Sequence, residues 1–369
     1  MRALFSFPRA ALALASVLAL VPVTAVRAAP DRSAATPAEP AASAPVVNSP
    51  LGAQMFTQLF VAEIEARSGS KPQAFQLMLD AARRTNDEAL FRRAVGLASE
   101  MGDGPNALAA VQAWRTAVPD SVQATRFEVQ LLLALDRFEE AARATAAMLD
   151  LTPPEERAGT FASLPRLFAR NRDRQGNLRL MEPVLRPWIA RPETAVAAGV
   201  TLARFEGAAG RFDEAMALVR TAHEKDRAAE APALLALELM ANSPDADAVV
   251  ADHLKARPEG TGIRILYARV LAAMHRYDDA AVQLKDVTRR EPQIAAPWIT
   301  LAALQLELKQ PADATATLNR YLAGLRDGSI VPGAKATAGG GTPVTVSVTA
   351  GGTDTDADGD GGGGQSAAQ

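Results

Sequence analysis

The sequence predicts an all-α fold, a right-handed α-solenoid of about eight helix-turn-helix repeats, and three observations carry the prediction. Ala246, Ala280 and Ala314 lie thirty-four residues apart, and Pro258 and Pro292 each follow the first two alanines by twelve residues. Ala107 and Ala141 reproduce the thirty-four-residue spacing, again with Pro119 and Pro153 twelve residues on. From Gly52 to Arg326 apolar residues recur three and four apart, alanine and leucine dominate, and β-branched clusters are few. A unit of this size cannot bury its apolar face alone, so its copies must stack on one another.

Taken in order, residues 1–28 read as a secretory signal. Arg2 and Arg9 supply a basic start, Ala10 to Val21 is apolar apart from Ser16, and Val26-Arg27-Ala28 offers a small-residue cleavage site. That apolar run is too short for a permanent membrane span, so no integral span is expected after processing. Residues 29–51, rich in Ala, Pro and Ser, read as a linker. The solenoid is placed at 52–326, in units near 52–87, 88–121, 122–155, 156–192, 193–228, 229–260, 261–294 and 295–327. Within each unit the alanine stands early in the second helix, where a small side chain lets helices approach, and the proline ends that helix. Ala107, Ala141, Ala215, Ala246, Ala280, Trp298 and Ala314 are the expected packing residues. Gly102-Asp103-Gly104-Pro105 and Gly210 read as turns feeding new helices, and Ser243-Pro244 as a capping hydroxyl before a first-turn proline. Ala141 and Ala215 are seventy-four residues apart, and Ala215 and Ala246 only thirty-one, so units four and five are stretched and unit six is shortened. The groove should bend differently there. Residues 327–369 hold 12 of the chain's 25 glycines and read as a disordered tail. The last helix carries an apolar stripe of Ala314, Leu318, Tyr321 and Leu325 with no further repeat to cover it, which predicts self-association or packing on the tail.

These units resemble the tetratricopeptide repeat. The last unit carries Trp298, Leu301 and Ala302 followed by Ala314 and Leu318, and the one before it Tyr267, Ala268, Tyr277-Asp278-Asp279-Ala280 and Pro292. The first units, from Leu59-Phe60-Val61-Ala62-Glu63-Ile64-Glu65-Ala66 through Ala81-Ala82-Arg83-Arg84-Thr85-Asn86-Asp87 to Trp114 and Pro119, resemble exported tetratricopeptide proteins of Gram-negative bacteria. That group includes a lipoprotein adaptor of a periplasmic carboxyl-terminal processing protease. This chain departs from it in having no cysteine to carry lipid. The resemblance implies a periplasmic, non-enzymatic scaffold or adaptor whose partner is a protein or extended peptide, such as an envelope protease or its substrates.

Little in the chain points to catalysis. The absence of cysteine removes disulfides, thiol chemistry and cysteine-ligated zinc. His223, His253 and His275 lie in separate units without metal-ligand spacing and read as helix-surface residues, so neither a metal nor a cofactor is expected. Asp354-x-Asp356-x-Asp358-Gly359 opens like a calcium loop, but Gln365 stands where a bidentate glutamate is needed. Removing the signal leaves 36 basic residues against 42 acidic ones, a balance that argues against nucleic acid. The alternative class is a cell-wall (peptidoglycan) enzyme or a fragment of one with a helical superhelix, but the Glu-Ser pair of those enzymes is missing from the sequence. The candidate binding groove is lined by first helices, where Arg92 and Arg126 share one register position and Arg204 and Arg269 another. Their guanidinium forks suit carboxylates, while Glu63, Glu100 and Glu307 map near the same face.

Overall fold

The structure is a computed structural model that describes residues 52–334. Eight helix pairs follow one another: α1 (Ala53–Ser68) with α2 (Lys71–Thr85), α3 (Glu88–Glu100) with α4 (Gly104–Ala117), α5 (Val122–Ala134) with α6 (Phe138–Leu151), α7 (Pro154–Leu167) with α8 (Arg174–Ile189), α9 (Ala195–Ala208) with α10 (Phe212–Lys225), α11 (Glu230–Leu239) with α12 (Ala246–Ala256), α13 (Thr261–Ala273) with α14 (Tyr277–Arg290), and α15 (Ala295–Glu307) with α16 (Pro311–Asp327). Consecutive helices pack on each other along most of the chain, so each pair leans on its neighbours in sequence. This is the quasi-linear stacking of an α-solenoid.

The turns explain why the pairs form. In six of them a residue adopts the left-handed conformation: Gly69 with φ of 101°, and Gly102, Asp136, Gly210, His275 and Lys309 with φ between 57° and 78°. In the last five a further bond follows. The next backbone N–H then reaches back five residues, from Asp103 to Ala98, Arg137 to Leu132, Arg211 to Glu206, Arg276 to Leu271 and Gln310 to Gln305, at 2.8–2.9 Å. That closure satisfies the last carbonyls of the first helix and reverses the chain at once. Asp103 then caps α4 by accepting from the Asn106 N–H at 3.1 Å. Ser243 does not cap: α12 starts at Ala246, its N-cap is Asp245, and the Ser243 hydroxyl is buried without a partner. At the other end of each unit the prolines stop the second helix, with α4 ending before Pro119, α6 before Pro153, α12 before Pro258 and α14 before Pro292.

The interior is three successive apolar clusters, and each draws on several neighbouring pairs. One runs from Ala62 to Ala124 around Trp114, the next from Leu108 to Phe205 around Phe161 and Phe168, and the third from Val200 to Leu304. Ala107, Ala141, Ala215, Ala246 and Ala280 are all 0% exposed, and Ala314 is 1% exposed. Trp298 differs: it is half-buried, with its indole N–H donating to the Pro292 carbonyl at 2.9 Å.

The irregular stretch lies where the spacing slips. Pro165 stands inside α7, a 3-10 turn at Phe168–Arg170 follows, and the buried Asn177 amide ties the chain down by donating to the Phe168 and Asn171 carbonyls at 3.0 and 3.1 Å. There α7 packs on α9, while α8 packs on α6 and α9. The shortened sixth unit reflects two short helices, α11 of 10 residues and α12 of 11.

Part of the presumed tail is ordered. After α16 the Ile330 N–H donates to the Gly324 carbonyl at 2.9 Å, the Val331 N–H to the Gln293 carbonyl at 3.1 Å, and Val331 forms a parallel bridge with Ile294. Ile330 is 4% exposed because Gly324 has no side chain there: a Cβ would lie 2.6 Å from the isoleucine. The segment after the last helix thus packs on the end of α16. The signal segment, the linker and the Asp354–Gly359 run lie outside the described residues. None of the helices among the described residues is long and apolar enough to cross a membrane.

Candidate binding cleft on the first-helix face

A cleft of about 540 Å³ opens between α5 and α7. It lies beside the irregular fourth pair, where α7 packs on α9 and α8 on α6. Val129 and Met148, both nearly fully buried, form an apolar floor, and Leu167 lies beside them. Arg126, Gln130, Glu155, Glu156 and Ser163 form the polar wall. Arg126 pairs with Glu156 at 2.7 Å, both side chains about half exposed. The Thr160 and Ser163 hydroxyls donate back to their own helix, to the Glu156 and Thr160 carbonyls at 3.1 and 2.7 Å, and keep their lone pairs available. An apolar floor under amide, hydroxyl and ion-pair groups suits an extended segment that offers one apolar side chain and backbone hydrogen bonds.

Two of the other predicted groove arginines are rungs between successive first helices. Arg92 donates to Gln123 at 2.6 Å, and Arg204 pairs with Glu238 through two bonds, one of 3.0 Å. The same pattern joins Arg93 to Glu63 at 2.8 and 3.0 Å, and Arg93 also reaches Glu100 at 3.6 Å. Pairing with Arg93 holds the Glu63 carboxyl below its usual range. Arg269 is exposed on α13 with no hydrogen bond or ion pair to any described residue. Of the four arginines, Arg126 alone lines the cleft, and Arg92, Arg204 and Arg269 stand on other first helices. Sequence reading missed the rest of the cleft, although the seventy-four-residue gap pointed to its neighbourhood.

The histidines are not on helix surfaces. His253 is 0% exposed and His223 6%, while His275 is the left-handed residue of a turn. His223 Nε2 lies 3.0 Å from Asp252, and His253 Nδ1 lies 3.0 Å from the Arg227 carbonyl. Among the described residues no group of acids and histidines could hold a metal. Burial lowers the His253 pKa below 6.5, against the opposing pull of the Arg227 carbonyl and Glu230. A folded-state pKa below the unfolded one means that the unfolded chain binds the extra proton. The contribution of His253 is therefore present above about pH 6.5 and lost as the pH falls through the folded pKa. Denaturant midpoints measured at pH 7.5 and 5.5 should fall on acidification, and His253→Gln should remove part of that fall.

Comparison with known proteins agrees with this architecture. The family model Tetratricopeptide repeat matches residues 271–336, a stretch that includes α14 to α16. No curated protein matches the chain in sequence. Among solved structures, the chain is similar to the C-terminal part of a TPR repeat-containing protein from Cytophaga hutchinsonii, at 14% identity over 63% of this chain and 95% of that one, with a TM-score of 0.37. A tetratricopeptide repeat protein from Parabacteroides merdae is 16% identical over 65% of this chain and 94% of its own, with a TM-score of 0.31. Yeast Tom70 is 11% identical over 74% of this chain and 70% of its own, with a TM-score of 0.30. Those scores carry no shared overall arrangement, and the fold rests on the helix pairs themselves. Repeats of this family are in general surfaces for protein partners.

Proposed function

We propose that the chain is a non-enzymatic scaffold of the Gram-negative periplasm that holds an extended peptide or an unfolded protein segment, with the α5–α7 cleft as its anchor point. The observation that carries the proposal is the cleft itself: a buried apolar floor under a polar wall between α5 and α7. The sharper part of the proposal, that the partner is an envelope protease or one of its substrates, is supported by the sequence resemblance of the first units.

Gly159 supplies the test. It lines the cleft from α7, and a Cβ added there meets no atom within 4 Å. Gly159→Leu should fill the cleft while strengthening the helix by roughly 0.5–1 kcal/mol, because glycine is a poor helix residue. Peptides selected by display on the full chain should lose at least tenfold in affinity for Gly159→Leu, read by fluorescence anisotropy, at undiminished thermal stability. Unchanged affinity would remove the cleft from the proposal, and cleavage of purified peptidoglycan by the chain would replace the scaffold with an enzyme. Self-association through the last repeat is supported by Leu318 and Leu322, 38% and 45% exposed on α16. Light scattering should show mass rising with concentration, and a constant monomer mass would exclude this part.

A further inference from the structure

A second cleft, of about 450 Å³, lies between α12, the start of α13 and α14, and its charge is lopsided. Arg264, Lys285, Arg289 and Arg290 line it against a single carboxylate, Asp286. Here the counter-charge is spent: Asp286 Oδ1 accepts from Arg289, and Oδ2 from Arg290 Nε at 2.6 Å, with Arg264 Nε at 3.2 Å from the same oxygen. Arg264 forms the floor. Its side chain is 11% exposed, its Nη1 donates to Gln283 at 3.0 Å, and its buried Nε has no hydrogen bond of good geometry. Both Nη groups of Arg290, one end of Arg289 and the Lys285 ammonium have no partner among the described residues and stand at the exposed mouth. Of the nearby acids, Glu259 pairs with Arg257 at 3.3 Å and feels Arg290 only through space, and Glu291 accepts from the Thr261 hydroxyl.

We propose that this cleft is a binding site for a phosphate group, as the free dianion or a monoester. The surplus charge calls for more than one negative charge, and a tetrahedral oxyanion can accept from two guanidinium forks and an ammonium on different sides at once. A monocarboxylate would leave both charge and donors unmatched. The site lies at α12–α14, apart from the peptide cleft at α5–α7, and stands independently of it.

The test is calorimetric titration of the full chain with inorganic phosphate, and separately with glycerol phosphate, in chloride buffer at constant ionic strength, with acetate as the singly charged comparison. Saturable binding of phosphate, tighter than acetate by roughly tenfold, is the expected result. Glycerol phosphate binding as tightly as phosphate assigns the monoester, and weaker binding assigns the free ion. The double variant Arg289→Ala/Arg290→Ala should weaken phosphate at least tenfold, and Arg220→Ala, on α10 outside this cleft, should leave it unchanged. Should the double variant fail to fold, Lys285→Glu decides, since that exposed side chain holds no partner whose loss would unfold the chain. Phosphate binding no tighter than acetate, or insensitive to Lys285→Glu, would overturn the site.

Discussion

Trp114→Ala should cost about 3–5 kcal/mol, a large share of the roughly 5–15 kcal/mol that holds a typical domain folded. The residue is 0% exposed at the meeting of three helices. Its ring lies parallel to Phe91 at 6.2 Å, inclined to Phe127 at 5.9 Å, and its indole N–H donates to Glu88 at 3.0 Å. Glu88 in turn accepts from the Ser121 hydroxyl, whose oxygen caps α5 by accepting from Ala124 N–H at 3.1 Å. One substitution therefore opens a cavity, leaves a carboxylate short of a donor and loosens the start of the next pair. Because each pair depends on its neighbours, the loss should be regional. Hydrogen exchange should show α3, α4 and α5 losing protection first, with α13 to α16 much less affected. Uniform loss along the chain would mean that the stack unfolds as one unit.

Ala280→Leu should cost roughly 1–3 kcal/mol by the opposite mechanism, overpacking. Ala280 is fully buried in the first turns of α14, within the apolar cluster that includes Leu271 and Leu301. Packing at interior density leaves no room for three more carbons without moving a helix. The same change at exposed Ala312, in the first turn of α16, should stay within about 0.5 kcal/mol. Denaturant midpoints of the two variants provide the comparison, and equal values would show that the repeated alanine marks no close approach.

Helix pairing was legible in the sequence because its causes are local. A small residue early in a helix, a proline at its end and a glycine at the turn, as at Gly102 and Gly210, can each be read without knowing the neighbours, whereas the left-handed Asp136, His275 and Lys309 carry no such mark. Side-chain partners thirty residues away cannot be read so. Arg92 and Arg204 stand on first helices, but their bonds to Gln123 and Glu238 depend on how the next first helix is set. His253 gave no sign of burial, since its partner is the backbone carbonyl of Arg227, to which any sequence is blind. Ile330 is buried only because Gly324 leaves space beneath it, a contact between a helix and a segment whose composition predicts disorder. The cleft was half legible: the stretched spacing after Ala141 marked the region, but the apolar floor of Val129 and Met148 beneath it depends on how α5, α6 and α7 are set together.

Hydrogen exchange of the full chain with and without a display-selected peptide tests the central claim most directly. Protection should rise on α5 and α7, around Arg126, Gln130 and Ser163, and should not rise in Gly159→Leu. Protection appearing only on the second helices, or persisting at α5 and α7 when the cleft is filled, would contradict the account.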